Sequence, residues 1–168
     1  MNLKYWPDPI LNVKSESVDF TEPLLKAITD EMLGVMYMKN GVGLSAIQLG
    51  ITKRIVVLDA TRKGLKGAPE IWINPRITYR SPEKGLMMEG CLSLPGVFEE
   101  VSRAVSVFVE GYELDGSYKT TEAVGLRAQV FQHELEHLDG KIFVDRLRPG
   151  MKDRIRAQIR KARGGFYP

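Results

Sequence analysis

The segment His133-Glu134-Leu135-Glu136-His137 constrains this chain more than any other. Two histidines four apart on a helix fall on one face, so both imidazoles can reach a single ion. The glutamate after the first histidine sits at the edge of that face, where it can take a proton from a water activated by a metal. The helical pattern extends from Gly125 to Asp139 and stops at Gly140. At about 100° per residue, Leu126, Val130, His133 and His137 cluster within about 60° of one another, with Glu134 beside them. Ala128, Phe131, Leu135 and Leu138 form an apolar stripe on the other side, and Gln129, Gln132, Glu136 and Asp139 fill the polar remainder. A helix with two apolar faces belongs inside a protein. One face packs on the core, while the other carries the histidines beside two aliphatic residues that can line a pocket.

His-Glu-x-x-His also arises by chance. Here the chain has only two histidines, and both stand at ligand spacing. A four-coordinate catalytic site needs a third protein ligand and an open position. The single cysteine, Cys91, is the candidate. A lone cysteine is commonly just a small buried hydrophobe. This one lies in Glu89-Gly90-Cys91-Leu92-Ser93-Leu94-Pro95, where Gly90 permits close backbone approach.

The rest of the chain supplies a scaffold. A helix is expected from about Glu22 to Lys39, capped by Thr21, with Leu24, Leu25, Ile28, Met32, Leu33 and Met36 as its apolar stripe. Asn40-Gly41 ends it. Arg54 to Asp59 reads as a buried strand, and Ile71 to Tyr79 as another, interrupted at Pro75. Val105 to Glu113 alternates, with Val105, Val107 and Val109 on one face. Asp115-Gly116 turns the chain into a return strand over Tyr118 to Ala123. A last helix is expected from about Met151 to Arg163. There is no regular βαβ alternation. The expected class is α+β, with short, mostly antiparallel strands around the central metal-binding helix and a C-terminal helix.

A chain of 168 residues suits one domain over 1–168. No apolar run approaches the roughly 20 residues that span a bilayer, so no membrane partner is expected. The N-terminal segment lacks the apolar stretch and cleavage site of a signal peptide. One cysteine makes no internal disulfide, which fits a reducing compartment, and a cytoplasmic location is the simplest expectation.

Gly41-Val42-Gly43-Leu44-Ser45-Ala46-Ile47-Gln48 is a glycine-rich turn opening a short helix. It lacks the Lys-Ser/Thr of a phosphate loop. Its functional reading is a loop that brings backbone groups and the Gln48 amide to a substrate.

These three segments together resemble peptide deformylases. That family carries Gly-Φ-Gly-Φ-Ala-Ala-x-Gln, then Glu-Gly-Cys-(Leu/Met)-Ser, then Gln-His-Glu-x-Asp-His. Here they read Gly41 to Gln48, Glu89 to Ser93 and Gln132 to His137, in the same order, and the resemblance covers almost the whole chain. In the common zincin proteases the third ligand lies after the helix, and no histidine follows His137. Two departures stand out: Ser45 replaces an alanine, and Glu136 replaces the aspartate between the histidines. Glu136 points away from the metal on the helical wheel, and a role in orienting the site through Arg103 is expected.

The resemblance implies removal of the formyl group from formylmethionine at the start of nascent peptides. It implies Cys91, His133 and His137 as ligands of one divalent ion, Fe2+ foremost, with Ni2+, Co2+ or Zn2+ as substitutes. Glu134 would be the general base, and the Leu92 N–H and the Gln48 amide would stabilise charge on the formyl oxygen. Val42, Met87, Leu126 and Val130 are the candidates for the methionine pocket, and Gly43 and Gly90 for pairing with the peptide backbone. The last helix, with Lys152, Arg154, Arg156, Arg160, Lys161 and Arg163, is either a solvated basic face or a surface for docking to the ribosome near the exit tunnel. The rival enzymatic reading is a metallopeptidase cutting internal bonds. A second rival is a catalytically weak, metal-bearing protein that binds ribosomes or nascent chains.

Overall fold

The structure, a computed structural model, describes residues 1–61 and 67–162, without the side chains at 158 and 160–162. The expected end of the last helix at Arg163, and the side chains of Arg160 and Lys161, therefore lie outside the described residues. The helices are α1 (Leu25–Met38), α2 (Leu126–Leu138) and α3 (Met151–Ala162). The strands are β1 (Gly43–Ser45), β2 (Ile55–Leu58), β3 (Glu70–Arg80), β4 (Lys84–Cys91), β5 (Leu94–Ala104), β6 (Ser106–Tyr112) and β7 (Tyr118–Val124). The class is α+β, and every paired strand runs antiparallel to its neighbour. No helix among the described residues is long and apolar enough to cross a membrane.

Five strands form one sheet in the order β1-β2-β3-β6-β7, and β4 and β5 form a separate hairpin sheet. The interior strand β2, between β1 and β3, is buried at every position, as its run Ile55-Val56-Val57-Leu58 requires. β3 breaks register between Ile73 and Arg76, where Asn74 takes φ 51° beside Pro75. A proline in mid-strand removes a ladder donor, and the irregularity accommodates it. β6 buries Val107 and Val109 and returns as β7 around Asp115-Gly116.

Helix α1 starts three residues later than the sequence suggests. Pro23 disfavours helical geometry at Glu22. Thr21, expected as the cap, instead donates its N–H and hydroxyl to Asp19. Leu24 is exposed, and Leu25, Met32 and Met36 form the buried stripe against β1 and β2.

Helix α2 buries ten of its thirteen residues: Ala128, Gln129, Val130, Phe131, Gln132, His133, Glu134, Leu135, His137 and Leu138. Ala128, Phe131, Leu135 and Leu138 pack on the large sheet with Trp72, Val107 and Val109. The expected polar remainder is not all solvated. Gln129 donates from Nε2 to the Met88 carbonyl of β4 at 2.8 Å. Gln132 donates to the Ala104 carbonyl at 3.0 Å and accepts from its N–H at 3.1 Å. These two amides hang the hairpin on the helix. Gly140 ends the helix at φ +71°, and a Cβ there would stand 2.5 Å from the Asn12 carbonyl oxygen.

Candidate metal centre and active site

Cys91 closes β4, and the histidines face it from α2. Sγ of Cys91 lies 3.1 Å from His137 Nε2, which lies 3.2 Å from His133 Nε2. The three candidate ligand atoms all fall within 4.8 Å of one another. His133 Nδ1 is 2.5 Å from Glu89 Oε1. That bond fixes the tautomer: with the proton on Nδ1, Nε2 presents its lone pair to the cluster.

Burial would raise the Glu89 carboxyl, but His133 and Arg103 outweigh it and hold it down at about 2. Burial would lower His133, yet Cys91 and Glu89 draw protons to it and raise it well above its ordinary value. Burial and the charge on His133 push His137 well below its own. One soft sulfur and two imidazole nitrogens, facing one another, are a donor set that fits a borderline divalent ion.

Behind the ligands, Arg103 is fully buried. It donates to both Glu89 oxygens, at 2.9 and 2.6 Å, and its Nη1 lies 2.8 Å from Glu136 Oε1. The expected link from Glu136 to the site through Arg103 is therefore in place. Glu89, the middle member of that link, was not singled out from the sequence. The signal was available, because residues two apart on a strand share a face and Glu89 stands two before Cys91.

A cavity of about 570 Å³ opens in front of the cluster. Of the candidate pocket residues, Val42, Gly43, Gly90, Leu126 and Val130 line it, as do Cys91, Leu92, His133 and Glu134. Val130 is buried, while Val42 and Leu126 stand half exposed at the mouth. Met87 is a correction. Met88, the next residue of β4, lines the cavity in its place. Sequence reasoning also missed Leu3 and Tyr5 from the N-terminal segment, and Phe98 from β5.

Glu134 is buried beside the cluster, and burial lifts its carboxyl to about 7. Gly43 is what admits it: a Cβ on Gly43 would stand 2.7 Å from Glu134 Oε1 and 2.6 Å from Val130 Cγ1. Gln48 lies behind the lining, in a short 3-10 turn over Ala46–Leu49. Its Nε2 is 3.5 Å from Cys91 Sγ and donates to Ser93 Oγ at 3.2 Å. Leu92 and Ser93 make the two-residue turn between β4 and β5, which sets the Leu92 backbone beside the cysteine.

A family model described as polypeptide deformylase matches residues 1–153. The chain belongs to the polypeptide deformylase family. Peptide deformylase 2 of Xanthomonas campestris pv. campestris is 40% identical over 161 residues, covering 94% of this chain and 93% of that protein. The peptide deformylase of Rhizobium meliloti is 38% identical over 156 residues, covering 93% and 90%. Among solved structures, the peptide deformylase of Ehrlichia chaffeensis superposes with a TM-score of 0.91 at 31% identity, covering 97% of this chain and 96% of that one. The deformylase motifs thus sit on one cavity, with the cysteine on a hairpin and both histidines on one helix.

Proposed function

We propose that this chain removes the formyl group from N-formylmethionine at the start of newly made peptides, in the cytoplasm, as a metal-dependent amide hydrolase. The observation that carries the reading is the meeting of Cys91, His133 and His137 next to buried Glu134, with Cys91, His133 and Glu134 lining one cavity. These three residues would hold one divalent ion, Fe2+ by family resemblance, with Ni2+, Co2+ or Zn2+ as replacements. When bound, the ion supplies Lewis-acid polarisation of the formyl carbonyl and lowers the pKa of water.

The chain's own groups do the rest. Glu134 takes a proton from the attacking water and hands it to the leaving amine, a task suited to a carboxyl poised near neutrality. The Gln48 amide and the Leu92 N–H face the oxygen on which charge builds. Val130, Leu126, Val42 and Met88 offer the apolar wall for the methionine side chain. Gly43 and Gly90 leave the peptide backbone room to lie along the cavity as an added strand.

Helix α3 exposes Arg154 and Arg156 on either side of its buried residue Ile155. This basic face is proposed to dock on ribosomal RNA, where counterion release favours binding.

The test is formate release by protein loaded anaerobically with ferrous iron or nickel. A formyl-Met peptide should yield formate, its acetyl-Met counterpart should not, and Glu134→Ala should abolish the reaction. Metal-loaded protein that leaves the formyl peptide intact would overturn the reading.

A further inference from the structure

Glu136 departs from the family motif by one methylene, and the structure gives that methylene a use. Glu136 Oε1 serves two guanidiniums: it lies 2.8 Å from Arg103 Nη1 and accepts from Arg146 Nε at 2.7 Å. Arg103 in turn holds Glu89, and Glu89 holds His133 Nδ1. Charges of alternating sign thus run from a buried imidazole to Arg146, whose side chain is 47% exposed. Arg146 ends the 3-10 turn Phe143–Arg146. At the other end of that turn, the buried Phe143 ring lies 6.1 Å from the His133 ring. One short turn therefore touches α2 both at the candidate ligand and at the outer end of the ion-pair chain.

We infer that Arg146 is a positioning residue for His133, acting through Glu136, Arg103 and Glu89. The inference rests on the reading of Cys91, His133 and His137 as a metal site. Nη1 of Arg103 is buried with no aligned hydrogen bond, and Glu136 is the carboxylate it faces as an ion pair. A buried cation that loses its partner shifts to find another. Arg146 draws Glu136 Oε1 to the point where it meets Arg103. With Arg146 gone, Glu136 is free to turn to solvent, Arg103 loses one of its two carboxylate partners and is free to shift, and Glu89, which Arg103 holds, loses its fixed aim at His133 Nδ1. Partners of this kind around a metal-binding histidine govern retention of the ion. An aspartate would end about 1.5 Å short and could serve only one of the two guanidiniums.

The experiment follows nickel release into excess chromogenic chelator from the parent, Arg146→Ala, Glu136→Asp and the double variant. The melting temperature of each metal-free protein serves as a folding control. Arg146→Ala should release nickel about tenfold faster, with little change in metal-free melting. In the Glu136→Asp background, Arg146→Ala should add nothing, because the shorter carboxylate no longer bridges. Release from Arg146→Ala at the parent rate would overturn the inference, and so would an equal effect in both backgrounds. A parent that holds no nickel at Cys91, His133 and His137 would instead remove the metal-site reading itself.

Discussion

The N–H and the hydroxyl of Ser45 both donate to Gln48 Oε1, each at 2.9 Å. The two bonds cap the short 3-10 turn and fix which end of the Gln48 amide faces Cys91. The carbonyl end is occupied, so the NH2 end points at Sγ and at Ser93. The residue that closes the turn thus also directs a donor toward the candidate ligand Cys91.

Gln48→Ala should lower kcat by about 100-fold with a much smaller change in KM, as loss of a charge-stabilising donor does. Ser45→Ala keeps the backbone donor and removes only the hydroxyl, so it should cost about 1 kcal/mol in stability and leave most activity. Steady-state kinetics and thermal melting of both variants check the pair. A Gln48→Ala enzyme with parent kcat would remove Gln48 from the chemistry.

Glu134 acts as a base only when ionised, and burial lifts its carboxyl to about 7. The rate should therefore rise with pH through that region, with the midpoint drawn lower as positive charge on a bound ion favours the carboxylate. The measurement is kcat/KM against pH for the parent beside Glu134→Gln. The variant should be nearly inactive and show no such rise, while still binding metal.

Gly43→Ala should be damaging out of proportion to its size. Its new Cβ would meet Glu134 Oε1 at 2.7 Å and Val130 Cγ1 at 2.6 Å. Both neighbours are buried side chains on α2, so overpacking should cost about 1–3 kcal/mol. Melting temperature reads the strain, and formate release reads the displaced base. Gly34→Ala, where a Cβ meets nothing within 4 Å, is the control.

Acid should weaken the fold partly through Glu70. Burial would raise this carboxyl, but bonds from Arg127 and Trp72 and the charges of Arg127 and Lys119 outweigh it, so the net shift is below 4.5. A carboxyl depressed in the folded state contributes stability above its unfolded pKa, and that contribution disappears as pH falls through the folded value. Melting curves across the acid range should show the loss, and Glu70→Gln should flatten it. An equal slope in the variant would place the acid sensitivity elsewhere.

The centre of the site was readable because its spacing is local. His133, Glu134 and His137 need only helical periodicity to share a face, and the apolar residues around them make that periodicity plain. The β6–β7 hairpin was readable from Asp115-Gly116 and from alternation in Val107 and Val109. The β4–β5 hairpin was not. Its turn is Leu92-Ser93, without the Asn-Gly or Asp-Gly signal of tight hairpins. It also leaves Leu86, Met88 and Phe98 exposed, so apolar residues stand on both sides and no alternation shows. Gln129 and Gln132 looked like solvated positions for a related reason. What buries them is a pair of backbone partners on that hairpin, and no local pattern announces those.

The hairpin also shares no strand pairing with the five-stranded sheet. Cys91 lies on one side of that seam and both histidines on the other. An ion shared by the three would lace the two sheets together at the floor of the cavity, much as a disulfide staples a small domain. Amide protons along β4 and β5 would then exchange more slowly in the loaded protein than in the stripped one. The three candidate ligands would thereby also set how firmly the hairpin is buttoned to the rest of the molecule.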